Sequence, residues 1–108
     1  MPIRHKRDFK VAEKFALRLK QVFHDVNLIL YGSRARGNGS ADSDMDICVT
    51  VAKLNRKTRD TIFDIAWEVG FAEGVVIVPM IFEKKEWLDS PINQSTIYKT
   101  IIKEGIRL

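Results

Sequence analysis

The chain has 108 residues, the usual size of one domain, and hydrophobic residues make up 45% of it. No apolar run approaches the roughly 18 residues that a transmembrane helix needs. The one cysteine, Cys48, excludes an internal disulfide and a cysteine-built zinc site. The net charge of +4 favours acidic partners such as nucleotides, RNA or an acidic protein.

The chain shows no internal repeat, low-complexity tract or linker, so we expect one domain over residues 1–108. The basic N-terminal segment lacks the apolar stretch of a secretory signal, and the expected location is therefore the cytoplasm. Cys48 lies within an apolar run and is predicted to be a small, buried core residue.

The first half of the chain predicts a helix, a strand, a polar loop and a second strand. Apolar residues recur at helical spacing over residues 8–23, with Asp8 as the N-cap. Residues 26–31 form a short, β-prone run, which predicts a buried strand. Residues 32–43 are rich in Gly, Ser, Asn and Asp, which predicts a loop with a helical turn near its start. Residues 44–51 are expected to form the next strand.

The second half continues with another helix and a third strand. Residues 57–69 carry an apolar stripe at helical spacing, and Gly70 is expected to end that helix. The strand over residues 74–82 contains Pro79, which cannot donate to a ladder and therefore predicts an edge position or a bulge.

The last element predicted from the sequence is a C-terminal helix. Ser90 is expected to be its N-cap, with Pro91 at the first helical position, and Gly105 its end. Inward-facing positions of this helix are Ile97, Tyr98, Ile101 and Ile102. The order of elements indicates a small α/β or α+β domain with helices packed on a sheet.

The loop after the first strand has the composition of a phosphate-binding turn. Gly32 lets the backbone approach a phosphate closely, and the Ser33 hydroxyl can add a donor. Arg34 and Arg36 follow directly and can neutralise phosphate charge. These four residues are the predicted nucleotide-binding group.

Two carboxylates stand at the start of the second strand. Because side chains alternate along a strand, Asp44 and Asp46 should point to the same face, while Met45 points into the core. Adjacent carboxylates repel each other unless a cation lies between them, and Mg²⁺ prefers oxygen ligands. Asp44 and Asp46 are therefore the predicted metal ligands and catalytic residues; they could hold at least one Mg²⁺, and a two-metal site stays open. The alternative is a Gly-Ser-rich hairpin loop with two solvated aspartates.

The two segments together resemble a known signature. Tyr-Gly-Ser-Arg-Ala-Arg-Gly at residues 31–37 and Ser-Asp-Met-Asp-Ile at residues 43–47 place ten residues between Gly-Ser and Asp-x-Asp. This is similar to the DNA polymerase β-like nucleotidyltransferase superfamily, in particular to its minimal branch of single-domain proteins, often paired with small helical HEPN proteins. The resemblance covers most of the chain and implies a nucleotidyltransferase fold.

The resemblance also implies an activity and a partner. The expected reaction moves a nucleoside monophosphate, AMP by preference, from a triphosphate such as ATP to a hydroxyl acceptor with the help of Mg²⁺. The implied acceptor is a tyrosine of a HEPN-type toxin, with this protein as the antitoxin. The motif itself reads no base edge, and neither the acceptor nor the oligomeric state follows from the sequence; a homo-oligomer stays open.

The chain departs from the family pattern at one point. Active members usually add a third carboxylate on the next strand, yet residues 74–82 contain no acid. Glu73 and Glu83 flank that strand, and we interpret both as solvated residues at its ends. The missing group leaves a second hypothesis open, in which the domain binds a nucleotide with weak or no turnover and acts by covering a protein partner. An RNA-binding accessory role lacks any recognised motif, and neither nucleic acid nor membrane is an expected partner.

Overall fold

A computed structural model describes residues 3–37, 40, 42–89 and 91–108, with side chains from residue 6 onward. Five helices, four strands and one 3₁₀ turn follow one another along these residues. In chain order they are α1 Ile3–Val22, β1 Val26–Tyr31, α2 Ser33–Arg36, β2 Met45–Val51, α3 Arg56–Glu73, β3 Ile77–Glu83, α4 Lys84–Asp89, the 3₁₀ turn Pro91–Gln94, α5 Thr96–Glu104 and β4 Ile106–Arg107.

The strands form one mixed sheet in the order β3-β2-β1-β4. β1 and β2 are antiparallel, with Tyr31 opposite Asp46. β2 and β3 are parallel, with Asp46 opposite Val78, and α3 supplies the crossover between them. β4 pairs antiparallel with the other side of β1. The predicted α/β or α+β domain with helices packed on a sheet is therefore confirmed, and the sheet is mixed.

One face of the sheet carries the main hydrophobic core. Alternate residues of the three long strands pack there against α1 and α3, as the two-residue period of a strand requires. Met45 is fully buried in this core, as predicted. The buried core residues contributed by the strands are Val26, Leu28, Leu30, Met45, Ile47, Val49, Val51 and Ile77.

The opposite face is covered by α4 and α5. Tyr31, Cys48, Trp87 and Ile101 form a second buried cluster there, and the prediction that Cys48 is a core residue is confirmed. Asp46 belongs to the same face and is only half-buried. This face therefore joins a packed apolar cluster to a polar end.

The N-terminal helix differs from its predicted form. It begins at least five residues earlier than expected, so Asp8 lies inside α1 and is not its N-cap. Among the apolar residues of this helix, Val22 is exposed and Val11 is buried. The prediction of β1 over residues 26–31 and of a helical turn from Ser33 is confirmed.

The expectation that Gly70 ends the second long helix is wrong. α3 runs through Gly70 to Glu73 and ends at Gly74, whose φ of 71° is the left-handed conformation of a helix C-cap. Gly70 serves close packing, because a Cβ there would lie 2.4 Å from the carbonyl oxygen of Val75. The sequence alone does not distinguish a glycine that ends a helix from a glycine that permits close packing.

The C-terminal part contains two further corrections. Ser95 caps α5, its side chain accepting a hydrogen bond from the Tyr98 N–H, whereas Pro91 begins only the 3₁₀ turn; the predicted cap Ser90 lies outside the described residues. Ile102 is exposed and not inward-facing. The edge position predicted for the strand containing Pro79 is confirmed, since β3 is an outer strand of the four-stranded sheet. None of the helices in the described part of the chain is long and apolar enough to cross a bilayer.

Candidate active site

The turn after β1 brings backbone and carboxylate into direct contact. Gly32 has φ of 82°, and its carbonyl oxygen accepts the N–H groups of Ala35 and Arg36 at 3.1 Å, which closes the short helix α2. A Cβ at Gly32 would lie only 2.7 Å from Oδ2 of Asp46. Both the positive φ and this close approach require glycine. The Asp46 carboxylate therefore lies directly against the backbone of the Gly-Ser turn.

The two aspartates interact electrostatically. Asp44 is exposed immediately before β2, and Asp46 is half-buried within it. Burial raises the pKa of Asp46 above its ordinary value, and the negative charge of Asp44 raises that pKa further. Both effects make the ionised form of Asp46 costly without a nearby cation. This donor set, two oxygen ligands in mutual repulsion, fits a hard divalent cation.

An apolar wall lies on the same face of the sheet beside Asp46. Tyr31 of β1 lies opposite Asp46 of β2. Its hydroxyl donates a hydrogen bond to Sδ of Met80 at 3.9 Å. Burial, and then the charge of Asp46, raises the pKa of Tyr31 to about 12. Tyr31 therefore stays neutral and packs in the apolar cluster.

The side chain of Arg34 is buried and is not exposed where a phosphate could bind it. It is only 3% exposed, and its Nη1 donates to Oδ1 of Asp8 on α1 at 2.6 Å. Its Nε and Nη2 both donate to the carbonyl oxygen of Ser43, at 3.0 and 2.6 Å. The phosphate-binding role stays a prediction that this arrangement does not favour.

Arg36, by contrast, lies on the surface. Its Nη1 donates to Oε2 of Glu104, in the last turn of α5, at 3.0 Å, and both side chains are partly exposed. A phosphate could displace such a solvated pair at little cost. Arg36 therefore remains available as a cationic group near the turn.

The side of the site formed by β3 carries no acid. Val78 is the β3 residue directly opposite Asp46 and on the same face, and it is 38% exposed. Glu83 lies five residues further along β3, about 16 Å at the usual strand rise, and accepts the Leu54 N–H. Glu73 ends α3 and pairs with Lys14 of α1. Among the described residues, no group of three or more His, Cys, Asp or Glu side chains is placed to hold a metal ion.

Two residues near the site were not predicted from the sequence. Asp8 was assigned to a helix cap, although its place beside apolar residues on the inner stripe of α1 could have marked it as a buried, paired acid. No pattern in the sequence places Glu104 near the site, because its contact with Arg36 spans 68 positions in sequence.

Comparison with known proteins identifies the family of the chain. Residues 12–107 match the nucleotidyltransferase domain family. A protein of Methanocaldococcus jannaschii, described as a protein adenylyltransferase, is 31% identical in an alignment over 88 residues that covers 77% of this chain. The chain spans 60% of that relative's length.

Solved structures share the fold. A crystal structure of a toxin–antitoxin with AMP-PNP aligns over 97% of this chain and 72% of its own, with a TM-score of 0.59 and 18% identity. A nucleotidyltransferase structure from Sulfolobus solfataricus aligns over 96% of this chain and 81% of its own, with a TM-score of 0.59 and 16% identity. With the match of almost the whole chain to one family, the protein belongs to the nucleotidyltransferase domain family.

Proposed function

We propose that the protein transfers AMP from ATP to a hydroxyl group of a protein acceptor and releases pyrophosphate. The observation that carries this proposal is the Asp46 carboxylate, which lies against the backbone of Gly32 and beside the charge of Asp44. A carboxylate pair held next to a turn where backbone comes close is suited to a metal–triphosphate.

Asp44 and Asp46 would hold Mg²⁺. Their donor set fits this ion, because burial and mutual repulsion both favour a cation between them. Bound there, Mg²⁺ would neutralise charge on the triphosphate and on the departing pyrophosphate. Asp44 is exposed and Asp46 is half-buried, so a ligand can reach the pair from solvent.

The Gly-Ser turn would contact the β- and γ-phosphates. Gly32 has no side chain to keep a phosphate away, and the Ser33 hydroxyl supplies a donor. Arg36 is the partly exposed cation of the motif, and it would exchange Glu104 for a phosphate oxygen. Arg34 is buried and would act on the site from within the fold.

In the proposed reaction the acceptor oxygen attacks the α-phosphorus of ATP. A new P–O bond forms to the acceptor, the bond to the bridging oxygen of pyrophosphate breaks, and the hydroxyl proton passes to water. The residue of β3 that faces Asp46 is Val78, which cannot take that proton. A general base contributes about 10²–10⁴-fold, so transfer would be slow compared with a site that has one.

The protein acceptor is proposed from the relatives. The Methanocaldococcus jannaschii relative is described as a protein adenylyltransferase, and a structural neighbour belongs to a toxin–antitoxin. A tyrosine of a small helical HEPN-type toxin is the acceptor that the sequence resemblance implies. In that case this protein is the antitoxin, and modification silences its partner.

A second candidate function follows from Val78. With an apolar residue opposite Asp46, the domain could bind Mg²⁺ and ATP without turnover and act only by covering its partner. The two functions differ in one respect, because only the first leaves a covalent mark on the partner.

The test begins by incubating the tagged protein with Mg²⁺ and ATP in lysate of its native host. The proteins that co-purify with it are then analysed by intact mass. The first proposal expects a partner that gains one or more AMP units with wild type and none with Asp44→Asn. Asp42→Asn is the matched control, since Asp42 is an exposed acid two positions away. A partner that binds wild type and both variants equally, always unmodified, would support the second function.

A further inference from the structure

The buried cation of the motif connects three parts of the site. Arg34 on α2 is 3% exposed and donates to Asp8 of α1 at 2.6 Å. The same guanidinium donates twice to the carbonyl oxygen of Ser43, through Nε and Nη2. Asp8 is itself 3% exposed, so the pair is enclosed by protein. A buried charge pair breaks at high cost, and its geometry is therefore well maintained.

The second contact of Arg34 acts on the metal-binding segment. Ser43 immediately precedes Asp44, which lies just outside β2 and lacks the support of the strand. On its other side, the N–H of Met45 donates to the carbonyl oxygen of Val76 at 2.8 Å. The two peptide groups that flank Asp44 are thus both hydrogen-bonded, and Arg34 supplies the hydrogen bonds to one of them.

We propose that Arg34, held in place by Asp8, is a positioning residue that sets the backbone before Asp44 and so the spacing of the Asp44 and Asp46 carboxylates. This inference rests on the proposed function and deepens it. It moves Arg34 from the phosphate-binding group of the motif to the support of the metal ligands, and leaves Arg36 as the cation for phosphate.

The geometry requires arginine and not merely a positive charge. A planar guanidinium presents several N–H donors in fixed directions, so it can bond Asp8 with one edge and the Ser43 carbonyl with another. A lysine has a single ammonium nitrogen at the end of a flexible chain. It could keep the ion pair with Asp8 but would lose the paired donation to Ser43.

Arg34→Lys therefore separates positioning from charge. The measurement is Mg²⁺-dependent binding of AMP-PNP by calorimetry, at a temperature where circular dichroism shows wild type and variant folded. We expect the half-saturating Mg²⁺ concentration to rise by about tenfold or more, as substitution of groups that orient metal ligands commonly does. High Mg²⁺ should restore binding, because the ligands themselves are intact.

A matched control is Arg18→Lys, the same change in an exposed pair between α1 and α3. It should leave the Mg²⁺ requirement unchanged. Asp8→Asn is the second variant, since it keeps the shape of the acid but removes the charge that holds Arg34. It should raise the Mg²⁺ requirement in the same direction by a smaller factor.

The outcomes distinguish this inference from the proposed function. Absence of Mg²⁺-dependent AMP-PNP binding by wild type would reject the proposed function itself. Wild-type binding with an unchanged Mg²⁺ requirement in folded Arg34→Lys would reject the positioning role alone. If neither Arg34→Lys nor Asp8→Asn folds, the pair serves only the fold, and the positioning role is likewise rejected.

Discussion

The two sides of the candidate site differ in chemistry. The side formed by β1 and β2 carries the Gly-Ser turn, both aspartates and an internally anchored arginine. The side formed by β3 presents Val78 and Met80, which are apolar and partly exposed. Asp46 lies between the two sides, opposite Tyr31 of β1 and opposite Val78 of β3.

This difference separates ligand binding from proton transfer. The groups suited to hold a metal–nucleotide all lie on the β1–β2 side. A base for the acceptor would belong on the β3 side, where the sheet register places Val78. On the proposed function, the β1–β2 side would bind the metal–nucleotide, and the β3 side would lack the group that takes the proton of the acceptor.

Adding an acid to the β3 side gives the largest expected effect. Val78→Asp would place a third carboxylate opposite Asp46, so we expect AMP transfer to accelerate about a hundredfold, the lower end for a general base. The measurement is the initial rate of acceptor labelling at saturating Mg²⁺ and ATP. Val78→Asn is the control, since it has a similar shape without the charge and should not accelerate. Equal rates for both variants would mean that Val78 does not occupy the place of a base.

The second-largest effect is expected from a substitution in the Gly-Ser turn. Gly32→Ala must accommodate a Cβ 2.7 Å from Oδ2 of Asp46 at a φ of 82°. We expect a loss of about 1–3 kcal/mol in the free energy of unfolding and no detectable Mg²⁺-dependent nucleotide binding. Chemical denaturation and calorimetry measure the two effects.

Gly74→Ala is the matched control for that substitution. Gly74 also has positive φ, at 71°, but a Cβ there meets no atom within 4 Å. It should lose stability from backbone strain alone and keep full nucleotide binding. If Gly32→Ala binds as well as Gly74→Ala does, close approach at the turn is not needed.

Removing the charge at the centre of the site should increase stability while it abolishes metal binding. The pKa of Asp46 is raised in the folded protein by burial and by Asp44, so the ionised carboxylate destabilises the fold. The protonated carboxyl therefore stabilises the fold, and this contribution is fully present below the pKa of the unfolded state and is lost as pH rises through the raised pKa of the folded state. Metal-free Asp46→Asn should therefore melt above wild type at pH 7, and the gap should close as pH falls through the raised pKa of Asp46. A lower melting temperature for the variant at pH 7 would contradict this account.

The smallest effect is expected at Arg36. Arg36→Ala removes an exposed pair with Glu104, so the unfolding free energy should change by about 0–1 kcal/mol. ATP affinity should fall and depend less on salt. Glu104→Gln provides the opposite test, because it frees Arg36 and should tighten ATP binding. Unchanged affinity in both variants would remove Arg36 from the phosphate-binding group.

Local sequence was sufficient for the elements that build the site. β1, the turn at Ser33 and the strand carrying Asp46 follow from short-range patterns, since apolar alternation and glycine conformation act over a few residues. Helix ends were harder. Gly70 and Gly74 are both helix-ending residues by type, and only the chain folding back after Gly74 decides between them.

The roles of the two arginines could be decided only in three dimensions. Arg34 and Arg36 stand two positions apart in a motif that treats them alike, but α1 brings Asp8 to one of them and α5 brings Glu104 to the other. The pairing of β3 with β2 likewise places Val78 opposite Asp46 across 32 positions of sequence. Sequence patterns determined which residues could bind a metal–nucleotide, because that information is local. Long-range packing determined which of them face solvent, which are anchored inside, and which neighbour is missing.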